Sequence, residues 1–244
     1  MVVGEAGDHP VRYRDGGWER LPEPDGYYVR AVAVNGAGEV VGWAVPDGSG
    51  DADEDRHQHP VRWPADRPDA VEEIEVPFLG GFPVALADDG TVLVAGREVP
   101  DGRNRGFVGR PDGTWTALDQ RDEWLDVTPV ALGGGAVVGT GQTERPVLEL
   151  VEWDLDGHVV RVHPTSSALD VNSSGQVLGV VNGLLEGMPA GKASVWRGGA
   201  LQAEFPVAGD ARIDAVAIDD DGAVVGRMAK RSGLRDAPVV GRCS

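Results

Sequence analysis

The sequence predicts an all-β protein with the β-propeller architecture, and three observations agree on it. A short apolar run, a polar turn ending in glycine and a second apolar run recur along the chain. A second pair of apolar runs, joined by Asp-Gly or Gly-Gly, follows most copies of the first pair. Glycine and proline are abundant, at 36 and 17 of 244 residues, which is typical of many short strands joined by tight turns.

The first unit of the repeat predicts a β-hairpin, whose two strands we call a and b. Asn or Asp opens its turn by bonding to nearby backbone, and glycine supplies the positive φ that ends the turn. Asn35 and Asn172 open two of these turns. The copies of this unit lie at residues 31–42, 84–92, 130–139, 168–179 and 215–226.

The second unit predicts another hairpin, strands c and d, so that each repeat supplies one four-stranded propeller blade. The repeat length of about 40 to 50 residues fits such a blade. We expect one domain over residues 1–244 with six blades, the first lacking strand a and the last lacking strand d. We expect the N- and C-terminal strands to close the ring, since open strand edges invite aggregation. Five blades with overlapping ends is the alternative.

The repeat resembles that of the HAF-repeat family, in which Asn-x-x-Gly-x-Val-Val-Gly is followed by His-Ala-Phe-x-Trp. Asn35 and Asn172 match the first half, and His59 with Trp63 matches the second half with Pro-Val in place of Ala-Phe. His9 with Tyr13 matches it in the same way. The resemblance implies the propeller fold and an extracellular location, and it assigns no activity.

The composition disfavours two classes of partner. The formal net charge is −18, so phosphate backbones and anionic membranes repel the chain, and we expect neither nucleic acid nor membrane as a partner. The basic residues are almost all Arg, which indicates GC-rich coding and a bacterial origin. No secretory signal is visible at residues 1–5, so we expect a cytoplasmic monomer, or a secreted protein if a signal was trimmed.

No cofactor or metal is expected from the sequence. Cys243 is the single cysteine, which excludes an intrachain disulfide and a cysteine-based metal site. The acidic stretch at residues 47–55 alternates Asp like a calcium loop, but Arg56 and Arg62 occupy positions that need Gly and Glu. His57 and His59 could share a metal on a strand, although His9 at the equivalent repeat position gives His59 a structural explanation.

Candidate binding residues are few. The residues preceding the core of strand a, at the predicted channel mouth, are Arg30, Phe82, Thr128, Ser167 and Asp214. Asp170 interrupts a column of alanines in strand a, where we expect it to bond to neighbouring backbone or to mark a site. Trp43 and Trp124 fall outside the repeat, in predicted loops on the face with variable loops, and are candidates for ligand contact. The tryptophans that recur with the repeat are predicted to pack the blades: Trp18, Trp63, Trp115, Trp153 and Trp196.

Two functions from different classes remain open at this point. The first is a non-enzymatic binding or scaffold propeller that recognises a protein or glycan through its variable-loop face. The alternative is a propeller hydrolase or lyase acting at the channel mouth with Arg30, Asp170 and Asp214. The sequence contains no nucleophile elbow and no phosphate-binding glycine motif, and a purely structural role is a third reading.

Overall fold

The repeat units form antiparallel β-sheets in the computed structural model of the protein. The structure describes residues 1–47, 58–97, 103–144, 147–185, 188–205, 211–230 and 237–242. Within these residues every regular element is a strand, and no helix is long and apolar enough to cross a membrane.

Six sheets follow one another along the chain, each built from consecutive strands. The first is β1 (Val2–Ala6), β2 (His9–Arg14) and β3 (Gly17–Arg20). The second is β4 (Tyr27–Val34), β5 (Val40–Pro46), β6 (His59–Trp63) and β7 (Glu72–Glu73). The third is β8 (Leu79–Leu86), β9 (Val92–Arg97), β10 (Asn104–Gly109) and β11 (Trp115–Ala117).

The remaining sheets repeat this order. The fourth is β12 (Trp124–Gly133), β13 (Ala136–Thr143), β14 (Leu148–Asp154) and β15 (Val159–His163). The fifth is β16 (Ser166–Val171), β17 (Gln176–Leu185), β18 (Met188–Arg197) and β19 (Ala200–Phe205). The sixth is β20 (Ala211–Ile218), β21 (Ala223–Lys230) and β22 (Ala237–Arg242).

This arrangement confirms the prediction of a β-propeller with six blades, and the alternative of five blades is wrong. The first sheet lacks strand a and the sixth lacks strand d among the described residues, as expected. The strands group into two compact units, residues 1–117 and 118–244. Closure of a ring by the terminal strands and a single domain over residues 1–244 stay predictions.

Strand a carries the same irregularity in most sheets. A one-residue bulge falls between Ala31 and Ala33 in β4, and it recurs at Pro129/Ala131, Ala168/Asp170 and Ala215/Ala217. Ala33 pairs with Val41 beyond the bulge, as Ala217 pairs with Val225. The alanine column predicted from the sequence therefore occupies one structural position, which lets residues of different sheets be compared directly.

Two predicted loops are strands instead. Trp43 lies on β5, which continues to Pro46 before the connection to β6. A loop is also predicted from the sequence over residues 180–191, but residues 180–185 and 188–191 are paired backbone, because β17 and β18 extend to the pair Leu185–Met188. The sequence prediction missed this extension because these residues follow the glycine that closes the repeat unit, where strand b was expected to end.

Candidate functional site

The predicted channel-mouth residues occupy equivalent positions. Each lies on strand a just before the bulge and pairs with one residue of strand b. The pairs are Arg30–Trp43, Phe82–Ala95, Thr128–Thr140, Ser167–Val180 and Asp214–Arg227. Two predicted binding residues, Arg30 and Trp43, are thus direct cross-strand neighbours, which the sequence alone did not indicate.

Arg30 and Trp43 belong to a polar and aromatic cluster formed by the first two sheets. The Arg30 guanidinium carbon lies 5.9 Å from the centre of the Trp43 ring. The Tyr28 ring meets the same indole edge-on, with centroids 5.7 Å apart. The Glu5 carboxylate, on β1, accepts from Arg30 Nε and Nη2, the latter at 2.7 Å, and from the Tyr28 hydroxyl at 3.0 Å. We call these four residues the Arg30–Trp43 patch.

The charges of the Arg30–Trp43 patch stabilise one another. The hydrogen bond from Arg30 lowers the pKa of Glu5 below its ordinary value, and burial opposes this shift in part. Burial and the hydrogen bond to the Glu5 carboxylate raise the pKa of Tyr28. At neutral pH the patch therefore presents a fixed carboxylate, a guanidinium and a protonated phenol beside an indole, with the Arg30 side chain about half exposed at 48%.

Glu5 and Tyr28 are site residues that the sequence prediction missed. A signal for Tyr28 exists, because it lies two residues before Arg30 and so shares its face of the strand. Glu5 carries no such signal, since β1 and β4 belong to different sheets. Its place beside Arg30 depends on how the first two sheets pack.

Trp124 does not lie in a loop, and this part of the prediction is wrong. It is the first residue of β12 and is completely buried. Its indole N–H donates to Glu149 Oε2 at 2.7 Å, and its ring meets that of Trp153 with centroids 6.2 Å apart. The β-bulge between Trp124 and Asp126 explains why Trp124 fell outside the repeat pattern. As a core residue, Trp124 offers no surface to a ligand.

Asp170 accepts hydrogen bonds from backbone amides, which is one of the two roles predicted for it from the sequence. Its Oδ1 accepts from the Val171 N–H and its Oδ2 from the Ile218 N–H on β20, both at 2.8 Å. Burial raises the pKa of this carboxyl, and the two backbone donors offset part of that effect. Asp170 therefore links strand a of the fifth sheet to strand a of the sixth.

Asp214 is held by its cross-strand neighbour. The Arg227 Nε lies 3.2 Å from Asp214 Oδ2, at the position equivalent to the Arg30–Trp43 pair. The three residues proposed for catalysis thus each have partners: Glu5 for Arg30, two backbone amides for Asp170 and Arg227 for Asp214.

The possible metal site formed by His57 and His59 stays a prediction. His57 lies outside the described residues. His59 Nδ1 lies 3.1 Å from Glu73 Oε1, and the equivalent His9 lies 3.0 Å from Glu23 Oε1, which supports a structural explanation for both. Among the residues that the structure describes, no group of three or more potential ligands could hold a metal ion.

A buried ionic cluster lies in the outer strands of the fourth sheet. Glu152 accepts a hydrogen bond from Arg161 at 2.7 Å and lies 2.7 Å from His163 Nε2. Burial alone would raise the pKa of Glu152, but His163 and Arg161 together hold it below its ordinary value. The His163 ring packs at 5.2 Å from Trp196, so this cluster joins the fourth and fifth sheets.

Comparison with known proteins identifies the fold and no family. No protein-family model and no curated protein matches the chain. Among solved structures it is similar to an oligogalacturonate lyase in complex with manganese, with 14% identity, a TM-score of 0.65 and coverage of 98% of this chain and 72% of that one. The β-propeller domain of the trilobed protease from Pyrococcus furiosus matches at 9% identity, TM-score 0.61, 88% and 69% coverage.

A third similar structure is TolB from Acinetobacter baumannii, with 10% identity and a TM-score of 0.52. The chain covers half of that protein's length, and 83% of this chain takes part in the match. At these identities the likeness concerns the fold alone. The chain is a β-propeller protein, and its activity has to be argued from its own side chains.

Proposed function

We propose that this propeller is a non-enzymatic binding protein that recognises a protein or a glycan through the Arg30–Trp43 patch. The observation that carries the proposal is the convergence of an indole, a phenol, a guanidinium and a carboxylate from two sheets at one surface. Membership of the HAF-repeat family is also part of the proposal, because no family model matches the chain.

The chemistry of the patch suits recognition. Tyr, Trp and Arg are the residue types most enriched at binding hot spots, because they bury large surfaces and still offer directed hydrogen bonds. Trp43 and Tyr28 have few rotatable bonds and support one another edge-to-face, so a ligand would order them at little entropic cost. Glu5 fixes the Arg30 guanidinium in a bidentate pair, which organises the donors before a ligand arrives.

The position of the patch also favours binding. Arg30 and Trp43 lie near the middle of β4 and β5, and Glu5 lies next to the turn between β1 and β2. That turn belongs to the set of connections between strands b and c, which vary in length along the sequence. Variable segments on a rigid scaffold are common binding surfaces.

The alternative, a hydrolase or lyase using Arg30, Asp170 and Asp214, stays a prediction. Its carboxylates are engaged by backbone amides and by Arg227, so a substrate would have to displace those partners. The proposal involves no nucleic acid, membrane or cofactor. It keeps the cytoplasmic location expected from the sequence, with secretion as the alternative.

The test measures binding to an array of neutral and acidic oligosaccharides and to immobilised protein candidates. We expect Trp43→Ala and Arg30→Ala each to weaken the binding of a wild-type ligand about tenfold or more, a cost of ~1.4 kcal/mol that is ordinary for a hot-spot residue. Leu201→Ala removes an exposed aliphatic side chain of the other compact unit and serves as the matched control.

Affinities are compared only among variants that fold normally. Circular dichroism and thermal unfolding establish the fold, and Trp43→Phe, which keeps an aromatic ring, should retain part of the affinity. A ligand that binds wild type, Trp43→Ala and Arg30→Ala equally would place recognition elsewhere and refute the proposal.

A further inference from the structure

The third sheet places its tryptophan differently from its neighbours. In the second, fourth and fifth sheets a buried tryptophan on strand c pairs with a valine of strand b; these are Trp63, Trp153 and Trp196. In the third sheet the equivalent partner of Val92 is Gly109, and the tryptophan, Trp115, lies on strand d opposite Gly109. The first sheet also has its tryptophan on strand d, where Trp18 pairs with Tyr13. Trp18 is 62% exposed, so the prediction that it packs inside a blade is wrong.

The Trp115 ring folds back over Gly109. A Cβ at Gly109 would lie 2.6 Å from the six-membered part of the indole. The indole N–H donates to the Glu75 carbonyl at 3.0 Å, as the Trp63 indole donates to the Pro22 carbonyl at 2.8 Å. Trp115 therefore holds the segment before its sheet in the way that Trp63 does, but it reaches this place from the outer strand and stays partly exposed.

A cleft of about 480 Å³ lies beside Trp115, between the second and third sheets. Both sheets belong to the compact unit of residues 1–117. The volume falls in the range of about 300–1,000 Å³ that is usual for small-molecule sites. Trp115, Val92 and Ile74 supply apolar surface. The charged residues that line the cleft are two arginines and three glutamates: Arg62, Arg110, Glu72, Glu73 and Glu75.

Arg62 keeps a hydrogen-bonding capacity that its equivalent in the first sheet has used. Arg12 donates its Nε to Glu19, its cross-strand neighbour. The cross-strand neighbour of Arg62 is Glu72, whose carboxylate pairs with a different arginine. The Nε of Arg62 is buried and makes no hydrogen bond with any described residue, although Glu39 Oε1 lies 3.3 Å away. Leaving a buried donor without an acceptor is costly, and a ligand oxygen would supply the acceptor that Glu19 supplies to Arg12.

The balance of charges at the cleft favours a neutral ligand. An anion would meet three glutamates and a cation two arginines, whereas hydroxyl groups accept from guanidinium and donate to carboxylate. A sugar ring combines such hydroxyls with an apolar C–H face that packs on aromatic and aliphatic side chains. The formal charge of −18 on the chain further disfavours an acidic sugar.

We propose that this cleft binds a neutral mono- or disaccharide, with Arg62 and the glutamates bonding to its hydroxyls and Trp115 lying against its apolar face. The cleft shares no residue with the Arg30–Trp43 patch. The proposal therefore goes beyond the proposed function and does not depend on it.

The test titrates the full chain, by calorimetry, with glucose, galactose, lactose and cellobiose, and with glucuronate and glucosamine as charged counterparts. We expect at least one neutral sugar to bind with a Kd of about 1 mM or tighter, and the charged counterparts to bind about tenfold more weakly. Arg62→Met removes the guanidinium and Trp115→Phe removes the indole, and each should weaken binding about tenfold or more. Trp18→Phe makes the same change at the equivalent strand-d position of the first sheet and should bind like the wild type.

A second measurement uses the unaltered protein, since Trp115 also packs its sheet. In the wild type, saturation with the sugar should shift the indole N–H resonance of Trp115 and leave that of Trp18 in place. Absence of binding by every neutral sugar, a preference for a charged counterpart, or an Arg62→Met variant that folds and binds like the wild type overturns the proposal. A sugar whose affinity falls with Trp43→Ala and not with Arg62→Met binds at the Arg30–Trp43 patch, which supports the proposed function and overturns the role of the cleft.

Discussion

Position 42 requires glycine because the backbone of the neighbouring strand approaches it closely. A Cβ at Gly42 would lie 1.8 Å from the Arg30 carbonyl oxygen. The glycines that close the equivalent runs meet the same obstacle, with Gly139 at 2.5 Å from Thr128 O and Gly226 at 2.4 Å from Asp214 O. The glycine of the Val-Val-Gly signature is therefore required because strand a bulges toward it.

Substitution of Gly42 should be among the most damaging changes in the first two sheets. Gly42→Ala forces the β4 backbone away, and overpacking of this kind costs about 1–3 kcal/mol or more of unfolding free energy. Gly4→Ala is the matched control, because a Cβ there meets nothing within 4 Å. Urea unfolding of both variants measures the difference, and equal stabilities would contradict the steric explanation.

The site residues show what residue-level reasoning can and cannot reach. Asp170 was selected because it interrupts the alanine column, and Arg30 because it lies at the predicted channel mouth; both make specific polar contacts. Trp124 was selected because it lies outside the repeat, yet it is a core residue. A sequence departs from its repeat both for function and for local packing, and only burial separates the two causes.

At the scale of elements, the turns between strands a and b do more than reverse the chain. Asn35 Nδ2 donates to the Ala87 carbonyl of the next turn at 3.2 Å, and the Gly36 N–H donates to Asp88 Oδ1 at 2.6 Å. The same pair of links joins Asn172 to Asp219 O at 2.8 Å and Ser173 N to Asp220 at 2.9 Å. The Asn-x-x-Gly motif thus connects neighbouring sheets.

This link predicts that replacing Asn172 lowers the stability of the protein more than replacing Asp219, although both residues open equivalent turns. Asn172→Ala loses the hydrogen bonds within its turn and the hydrogen bond to the sixth sheet. It leaves buried backbone groups without partners, which lowers the unfolding free energy by about 1–3 kcal/mol. Asp219→Ala loses the bond from the Ala223 N–H but retains its carbonyl for Asn172. Thermal unfolding should show the larger loss for Asn172→Ala, and the reverse order would contradict an inter-sheet role.

The buried state of Asn172 also explains its apparent glycosylation sequon. Asn172-Ser173-Ser174 fits the sequon, but the side-chain amide donates to Gln176 and to Asp219 inside the structure. A glycan on this nitrogen would remove one of those bonds and occupy the space between the turns. The turn chemistry expected from the sequence is confirmed.

At the scale of the whole molecule, the acidic surface opposes the association of copies. Each chain has a formal charge of −18, from 40 acidic and 22 basic residues, so two copies repel each other at low salt. Salt screens this repulsion: the Debye length falls from about 30 Å at about 10 mM to about 8 Å at about 150 mM salt.

Repulsion between copies of the chain should therefore weaken as sodium chloride rises from about 10 mM to about 150 mM at pH 7, because screening lengths shrink over that range. Sedimentation equilibrium at both salt concentrations measures the change as a rise in apparent mass toward the mass of the chain. An apparent mass that does not change with salt would contradict a dominant effect of the net charge.

The fold class and the turn chemistry were predictable from the sequence, and six sheets were favoured over five, because alternating apolar residues and Asx-Gly turns are local patterns that the repeat shows several times. Tertiary structure decided which tryptophans are core and which are exposed, and it brought Glu5 and Tyr28 to Arg30 and Trp43. Those outcomes depend on which face of each sheet a neighbour covers. A periodicity of two along a strand gives the face, and only packing shows whether that face is buried.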